Sequence, residues 1–457
     1  MNVPGTVEGN WCWRYEWADV DVALDIALRA YEDQDTWLSK HERIVIFQKV
    51  MEIMSERKES LIKLAVSEGG KPYVDTVVEV DRAINGVQLA IEHMGAFAGR
   101  EIPMGHTASS ANRMAYTMKE PIGVVAAISA FNHPLNLAVH QIIPALAVGC
   151  PVIMKPALTT PLSALNFVDI LYEAGLPKEW CQVIVCDNSE AEHLVTSDKI
   201  DYLTFIGSGA VGWYLNSKVA PGTRVGLEHG GVAPVIVEPD ADMAELIPAL
   251  AKGGFYHAGQ VCVSVQRIYV HESIFEQVSN SLADLAESLV IGDPLDPKTE
   301  VGPLILEREV ERIASWVDEA VSGGANLLCG GNIIEETCFE ATILQNPSPD
   351  AKVSTQEVFG PVVCIYSYSD IEKAFAAANA LDVSFQAAVF TKNIDTALRA
   401  VKRLSATAVM VNDHTAFRVD WMPFGGAKAS GLGMGGIAYS MEEMSKEKLM
   451  VIKSSSL

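Results

Sequence analysis

From residue 121 onward, short apolar segments alternate with amphipathic ones, and this alternation limits the folds open to the chain. The predicted strands are 122–128, 152–154, 183–185, 203–206, 235–237, 387–390 and 408–411, and the predicted helices include 161–174, 273–289 and 307–321. Strands that alternate with helices are typical of a parallel sheet covered by crossover helices. The pattern therefore predicts an α/β fold built on open, mostly parallel sheets.

The length of the chain predicts more than one such unit. Its 457 residues exceed one compact core, so two or three domains are expected. The strand and helix pattern divides into two α/β units that join between Ile206 and Val235. The first third is predicted to be helical, with a helix whose apolar face carries Val77, Val80 and Ile84.

The charge of the chain argues against two classes of partner. With 34 basic and 58 acidic residues, the formal net charge is −24. Such a surface repels nucleic acid and anionic membranes, so neither is expected as a partner. No stretch approaches the roughly 18 consecutive apolar residues that a membrane span needs.

The eight cysteines show no pattern of a metal site or of a disulfide framework. They lie at positions 12, 150, 181, 186, 262, 329, 338 and 364, without a Cys-x-x-Cys pair, so no bound metal is expected. The first residues show no positively charged start followed by an apolar run and a cleavage site, so export is not expected. Free thiols in a protein that is not exported predict a cytoplasmic location.

One cysteine stands out by its surroundings. Cys262 closes a run of small and apolar residues, 255–262, and Glu228 lies upstream in a segment that continues with two glycines. A thiol that has a carboxylate available as base can attack a carbonyl carbon and form a covalent intermediate. Alternatively, Cys262 is an inert buried thiol.

A glycine-rich segment follows the predicted strand 203–206. Gly207, Gly209 and Gly212 match the spacing of the dinucleotide-binding fingerprint, in which a phosphate approaches a helix N-terminus. The segment could equally be an ordinary strand-to-helix turn. Glu228 follows Gly212 by sixteen residues, so it could hold an adenine ribose or act as a general base, and spacing alone does not separate these roles.

Seven short motifs, taken in order, strongly resemble those of the NAD(P)-dependent aldehyde dehydrogenase superfamily, from about residue 20 almost to the C-terminus. They are Phe131-Asn132-His133-Pro134, Lys155-Pro156, Phe205-Ile206-Gly207-Ser208, Leu227-Glu228-His229-Gly230-Gly231, Gly259-Gln260-Val261-Cys262, Glu357-Val358-Phe359-Gly360-Pro361 and Pro423-Phe424-Gly425-Gly426. The resemblance implies oxidation of an aldehyde to a carboxylic acid through a thiohemiacetal and a thioester. It assigns Cys262 as the nucleophile, Glu228 as the base that activates water, and the Asn132 amide with the Cys262 backbone N–H as the oxyanion hole.

Three other activities fit the same fold less well. A CoA-acylating semialdehyde dehydrogenase generally lacks the base glutamate that this chain has as Glu228. A catalytically silent member would be expected to have lost Cys262 or Asn132, and both are present. Reduction of an acid is disfavoured because hydrolysis of a thioester is strongly downhill.

The resemblance also implies NAD or NADP as cofactor. By this likeness Lys155 bonds the adenosine ribose, and Glu357 and Phe359 contact the nicotinamide ribose and ring. The pyrophosphate-side loop is assigned to Gly207, Ser208 and Gly212. Two positions depart from the family: Leu158 stands where a ribose-holding glutamate is common, and His229 replaces the usual leucine. Without a carboxylate at position 158, NADP is expected to be tolerated.

The substrate pocket of the family implies four lining residues here. They are Leu137, His140, Phe417 and Arg418, with Val261 and Val263 beside the nucleophile. Arg418 could grip a substrate anion or could form a structural salt bridge. The surrounding loop resembles the lactaldehyde and phosphonoacetaldehyde dehydrogenase branch, so a small aldehyde that is hydroxylated or singly anionic is expected.

The family fold implies three parts. Residues 1–101 and 121–227 would form a Rossmann-type NAD(P)-binding domain, and 228–436 the catalytic domain. Residues 102–120 and 437–457 would form an oligomerisation segment that extends onto a neighbouring subunit, which predicts a homodimer or a homotetramer. The start of the chain is short and rich in tryptophan, with Trp11, Trp13 and Trp17.

Overall fold

The computed structural model describes residues 17–457, so Trp11 and Trp13 lie outside the described part of the chain. The helices are α1 (Trp17–Glu32), α2 (Lys40–Glu56), α3 (Lys58–Gly69), α4 (Tyr73–Ala96), α5 (Pro134–Val148), α6 (Leu162–Glu173), α7 (Asn188–Thr196), α8 (Gly209–Asn216), α9 (Met243–Phe255), α10 (Phe275–Ser288), α11 (Glu307–Ser322), α12 (Lys352–Thr355), α13 (Ile371–Ala378), α14 (Ile394–Arg403) and α15 (Ile437–Glu443). The strands are β1 (Glu101–Ile102), β2 (Arg113–Pro121), β3 (Val125–Ile128), β4 (Val152–Lys155), β5 (Cys181–Val183), β6 (Tyr202–Ile206), β7 (Arg224–Glu228), β8 (Ala233–Val237), β9 (Val265–His271), β10 (Asn326–Cys329), β11 (Ile333–Glu335), β12 (Cys338–Phe339), β13 (Thr342–Gln345), β14 (Val362–Tyr368), β15 (Val383–Ser384), β16 (Gln386–Phe390), β17 (Ala408–Val411), β18 (Ala427–Lys428), β19 (Gly431–Leu432) and β20 (Ser445–Lys453).

The first large sheet has the order β19-β7-β6-β3-β4-β5. Its five strands from β7 to β5 are parallel, and the short β19 adds an antiparallel edge. Strand β3 has β4 on one side and β6 on the other, so the strand order reverses at β3. Ligands of open α/β sheets bind at the carboxyl ends of strands next to such a reversal.

The second large sheet has the order β10-β13-β14-β9-β8-β16-β17. All its strands are parallel except β10 at one edge. Helices α9 to α12 cover one face, and α13 and α14 cover the other. The amino ends of β8, β9 and β14 face the carboxyl ends of the first sheet, and the two edges enclose a deep cleft.

A third, small sheet has the order β1-β2-β20. Strands β2 and β20 pair antiparallel from Arg113 opposite Lys453 to Pro121 opposite Ser445. The edge strand β20 exposes Leu449, Met450 and Val451. In residues 17–457, no helix is both long enough and apolar enough to cross a membrane.

The structure confirms the predicted α/β class and shifts some element boundaries. The predicted strand 122–128 starts only at Val125, because the chain turns at Gly123 (φ 146°) out of the small sheet before it enters the first large one. The strand predicted at 183–185 is β5, two residues earlier, because its pairing with β4 begins at Cys181 opposite Val152. Of the apolar residues that suggested the later position, Val183 forms the last pair, and Ile184 and Val185 follow it.

Candidate active site

The cleft between the two large sheets has a volume of about 860 Å³. It brings together most of the site residues predicted from the sequence: Asn132, Leu137, Lys155, Gly207, Ser208, Glu228, Cys262, Glu357, Phe359, Phe417 and Arg418, with Val261 and Val263. Two predicted residues lie elsewhere. Gly212 is inside α8, and His140 lines a smaller cavity behind Glu228.

Cys262 lies in the loop between α9 and β9, half-buried at the floor of the cleft. Three successive residues before it are left-handed: His257 (φ 49°), Ala258 (φ 53°) and Gly259 (φ 70°). A residue with a Cβ adopts this conformation at a cost of roughly 1–2 kcal/mol. A Cβ at Gly259 would also lie 2.1 Å from the Gly360 carbonyl oxygen. The nucleophile is thus presented by a strained loop whose conformation the surrounding packing maintains.

Asn132 is buried at the junction of β3 and α5, and it contacts the segment that carries the nucleophile. Its Nδ2 donates a hydrogen bond to the Gln260 carbonyl oxygen at 2.9 Å. On the other side, the Gly231 N–H donates to the Cys262 carbonyl oxygen at 3.1 Å. These two bonds hold the Asn132 amide and the segment after Glu228 against the backbone that carries Cys262, and the second Asn132 amide hydrogen can serve an oxyanion.

The electrostatics of the site favour a protonated thiol and a carboxyl that can accept a proton. Burial raises the pKa of Cys262 well above its ordinary value; Glu228 and Glu357 add to the rise, and Arg418 opposes it. Burial also raises the pKa of Glu228, against the opposing charges of Arg418 and Arg82. The thiol therefore needs a base before it can attack, and Glu228 has the shifted pKa of a general base.

Glu228 separates the cleft from a second, smaller cavity. This cavity of about 40 Å³ adjoins Glu228, and its lining includes His140, Gln141 and Tyr202. A water molecule needs roughly 10–15 Å³ of such space and two to four polar partners. The end of β7 thus places the carboxyl next to a space that has room for water.

The nucleotide side of the cleft is formed at the carboxyl ends of β4 and β6. Lys155 ends β4, and burial lowers its pKa while Cys186 and Asp187 oppose the shift. Gly207 and Ser208 follow β6 and lead into the N-terminus of α8, where unpaired backbone N–H groups favour a phosphate. This arrangement fits the adenosine and pyrophosphate parts of a dinucleotide.

Glu357 and Phe359 stand on the opposite wall, before β14. Burial raises the pKa of Glu357 to about 8, and Arg312 opposes the rise. The buried Oε1 of Glu357 has no hydrogen-bond partner in residues 17–457, which suits a ribose hydroxyl. Phe359 is left-handed (φ 49°), and its ring meets that of Phe131 edge-on at 5.7 Å between centroids. These residues fit the nicotinamide end of the same cofactor.

Gly212 serves packing in this chain. A Cβ at this position would lie 2.0 Å from Cε1 of His229. The His229 ring is wedged edge-on against Phe205 and Trp213, and its Nδ1 lies 3.0 Å from the Gly207 carbonyl oxygen. The histidine that replaces the usual leucine therefore supports the glycine-rich loop from below.

Arg418 and Arg82 both line the cleft at its substrate end, and the two side chains together are called the guanidinium pair. The sequence analysis missed Arg82. Arg418 lies over the Phe424 ring at 3.6 Å, and its Nη2 is 3.4 Å from Nδ1 of His140. In the described part of the chain it forms no ion pair within 4.0 Å. Arg82 donates to both carboxylate oxygens of Asp420, at 2.7 and 3.1 Å.

Asp420 is the hub of this network. His140 Nε2 lies 2.7 Å from its Oδ1, so the histidine links Asp420 to Arg418. Burial alone would raise the pKa of Asp420, but its bonds to His140 and Arg82 hold the pKa well below the ordinary range. Arg82 lies on a helix that the apolar pattern predicted, but that pattern identifies the buried face and does not show which polar side chain reaches a cleft.

A dinucleotide-shaped cleft that ends at a cysteine, an amide donor and a buried carboxyl defines the class of this protein: an NAD(P)-dependent oxidoreductase. The model of the aldehyde dehydrogenase family matches residues 12–450, and the chain belongs to this family. It acts on the aldehyde group, with NAD or NADP as cofactor.

Curated relatives and solved structures agree with the family. The chain is 40% identical over 435 residues to a 3-sulfolactaldehyde dehydrogenase of Priestia aryabhattai, covering 95% of this chain and 90% of the relative. It is 37% identical over 420 residues to a lactaldehyde dehydrogenase of Methanococcus maripaludis, covering 91% and 88%. The NADP complex of the glyceraldehyde-3-phosphate dehydrogenase GapN from Methanocaldococcus jannaschii superposes with a TM-score of 0.92 at 34% identity, covering 97% and 96%.

Proposed function

We propose that this protein oxidises a small aldehyde to the free carboxylic acid through a thioester on Cys262. The observation that carries the proposal is the meeting of Cys262, Asn132 and Glu228 in one cleft with a nucleotide site. The test is the formation of reduced cofactor and of the free acid with a panel of small aldehydes. Reduced cofactor without acid, or acid only when CoA is supplied, would argue for an acylating enzyme instead.

In the first half of the proposed reaction the thiol of Cys262 gives its proton to the Glu228 carboxylate, which releases it to water, and the sulfur adds to the aldehyde carbon. The negative charge that develops on the aldehyde oxygen is stabilised by the Asn132 amide and by the Cys262 backbone N–H. The bound cofactor supplies the acceptor for the hydride that leaves the same carbon. Loss of that hydride leaves the carbon as a thioester of Cys262.

In the second half Glu228 takes a proton from water, and the resulting hydroxide attacks the thioester carbon. The carbon–sulfur bond breaks, the acid leaves, and the Cys262 thiolate is regenerated. The raised pKa of Glu228 makes its carboxylate a stronger base than an exposed glutamate. The space behind the carboxyl is where the proton can pass to water.

The guanidinium pair supports an aldehyde with a single negative charge. Arg82 and Arg418 carry two positive charges, and Asp420 cancels one of them. Burial lowers the pKa of His140, so this histidine adds no charge at neutral pH. A carboxylate or sulfonate would neutralise the remaining charge, whereas a dianionic phosphate would exceed it. The names of the two relatives, sulfolactaldehyde and lactaldehyde dehydrogenase, fit an anionic or hydroxylated aldehyde.

Arg418→Ala is expected to lower kcat/KM for succinic semialdehyde relative to butanal, its neutral match in chain length, about 10- to 100-fold. A hydrogen bond to a charged group is worth about 1.5–3 kcal/mol. Any change that the variant makes to the pKa values of Cys262 and Glu228 affects both aldehydes, so the ratio isolates the anion contact. The control is Lys252→Ala, which removes a cation at the cleft already paired with Asp75. Equal losses on both aldehydes would disprove the contact.

We propose that the enzyme accepts both NAD and NADP. Leu158 lines the cleft close behind Lys155, so that position offers no carboxylate to repel a 2′-phosphate. Initial rates with the two cofactors are expected to differ by less than about a hundredfold, the scale of one or two polar contacts. Leu158→Glu should shift the ratio of kcat/KM toward NAD by about tenfold or more, and Leu158→Met should leave it unchanged. Absolute dependence of the wild type on one cofactor would contradict this proposal.

We propose that residues 1–101 and 121–227 form the cofactor domain and that residues 228–436 form the catalytic domain. We also propose that residues 102–120 and 437–457 mediate assembly into a homodimer or a homotetramer. Support comes from β20, an edge strand with exposed apolar side chains. Such edges are prone to pair with a second chain.

All seven cysteines within residues 17–457 are free, which supports a reducing compartment such as the cytoplasm.

A further inference from the structure

His133 lies on the wall of the cleft directly after Asn132, and its two ring nitrogens have different surroundings. Its Nδ1 lies 2.6 Å from the Nζ of Lys71. Its Nε2 has no hydrogen-bond partner in residues 17–457 and is not sealed inside the protein. One nitrogen is therefore engaged by the protein, and the other is available to a molecule in the cleft.

The partner of Nδ1 is held in place by a buried ion pair. Lys71 is 1% exposed, and its ammonium group bonds to one carboxylate oxygen of Glu79. The other oxygen of Glu79 accepts the backbone N–H groups of Leu135 and Asn136, at 3.0 and 3.1 Å. Glu79 is thereby fixed to the first turn of α5, and Lys71 is fixed to Glu79.

This arrangement determines which nitrogen of His133 carries the proton. A lysine ammonium has three hydrogen-bond donors and no acceptor, so Nδ1 must accept and Nε2 must carry the hydrogen. Burial lowers the pKa of His133 well below its ordinary value, and the positive charges of Lys71, Arg82 and Arg418 add to this effect. The side chain is thus a neutral donor at neutral pH.

The ring is also fixed in direction. It stacks on the ring of Tyr256 at 6.1 Å between centroids and meets that of His257 edge-on at 6.2 Å. It follows the oxyanion residue Asn132 in the chain, and the charges of Arg82 and Arg418 reach it. His133 lines the same cleft as Cys262 and Arg418, so an aldehyde whose carbon is at Cys262 has its adjacent carbon in the cleft that carries the His133 ring.

We propose that the Nε2–H of His133 recognises a hydroxyl group on the carbon next to the aldehyde, with Lys71 as the positioning residue that sets the tautomer. This inference rests on the proposed function, because it assumes that the aldehyde carbon reacts at Cys262. It makes the enzyme selective for 2-hydroxyaldehydes by a neutral contact that is separate from the guanidinium pair.

Lactaldehyde and propanal test this contact, because they differ by that hydroxyl and neither carries a charge. The wild type is expected to favour lactaldehyde about 10- to 100-fold in kcat/KM, the range for one buried hydrogen bond whose loss leaves a group unpaired. His133→Phe should reduce this preference about tenfold or more, with the ratio of the two kcat/KM values as the readout. His133→Gln, which keeps an N–H donor, should retain part of the preference. Because each variant is compared as a ratio with the wild type, hydration of the aldehydes cancels.

Lys71 is tested by the coupling between two substitutions. In a Lys71→Met background, His133→Phe should change the lactaldehyde preference less than it does in the wild type, whereas a purely structural role of Lys71 would leave the two effects additive. If Lys71→Met does not fold, the His133 variants still decide the proposal. Equal losses on both aldehydes in His133→Phe, or a wild type without preference, would overturn this inference alone. A wild type that turns over neither aldehyde would remove the proposed function as well.

Discussion

Cys262→Ala is expected to lower aldehyde turnover by about 10⁴-fold or more, because no other thiol of residues 17–457 lines the cleft. Losses of this size are typical when the attacking group of a covalent mechanism is removed. The measurement is the steady-state formation of reduced cofactor, with cofactor affinity determined separately by fluorescence. Cofactor affinity should stay within about threefold of the wild type, since Cys262 lies at the reacting end of the cleft.

The matched control for this prediction is Cys338→Ala, which removes a thiol in the β11–β12 hairpin, outside the cleft. Its turnover should equal that of the wild type. Turnover by Cys262→Ala at more than about one per cent of the wild-type rate would show that the thiol is not the nucleophile.

Glu228→Gln is expected to separate the two halves of the reaction. The first turnover should release one equivalent of reduced cofactor per subunit, and subsequent turnover should fall about 10²- to 10⁴-fold, the usual contribution of a general base. Because Glu228 also accepts the thiol proton, the first turnover should become slower but remain stoichiometric. Stopped-flow absorbance of the reduced cofactor measures both phases.

The pH dependence gives the same prediction a second readout. Since burial raises the pKa of Glu228, the wild-type hydrolysis rate should rise with pH through that raised value and level off above it. In Glu228→Gln this rise should be absent. The control is Glu357→Gln, which should weaken cofactor binding without producing a burst. A Glu228→Gln enzyme that keeps full steady-state turnover would assign the base to another group.

The proposed catalytic residues could be identified from the sequence because the roles proposed for them are tied to short local motifs. Cys262, Glu228 and Asn132 each occur in a recognisable context, and the strand and helix pattern placed their segments near strand ends. The α/β class followed from the same pattern. What the pattern could not give was the mutual arrangement of two sheets, since that depends on contacts between residues far apart in the chain.

The residues that the sequence analysis missed act through long-range partners. Arg82 is separated from Asp420 by more than three hundred positions, and Lys71 reaches His133 from another helix. Gly212 matched the spacing of a phosphate-binding loop, yet it lies where a side chain would collide with His229. Arg82 and Lys71 belong to no motif; for Gly212 the motif specified the residue type, and the packing specified its neighbour.

The most direct test of the central claim is the intact mass of Glu228→Gln after mixing with aldehyde and oxidised cofactor. The account predicts a mass increase equal to one acyl group per subunit, located on Cys262 by peptide mapping and absent from the Cys262→Ala, Glu228→Gln double variant. The adduct should decay slowly in water and rapidly when hydroxylamine is added, as a thioester does. Full reduction of one equivalent of cofactor without any acyl adduct would contradict the thioester mechanism.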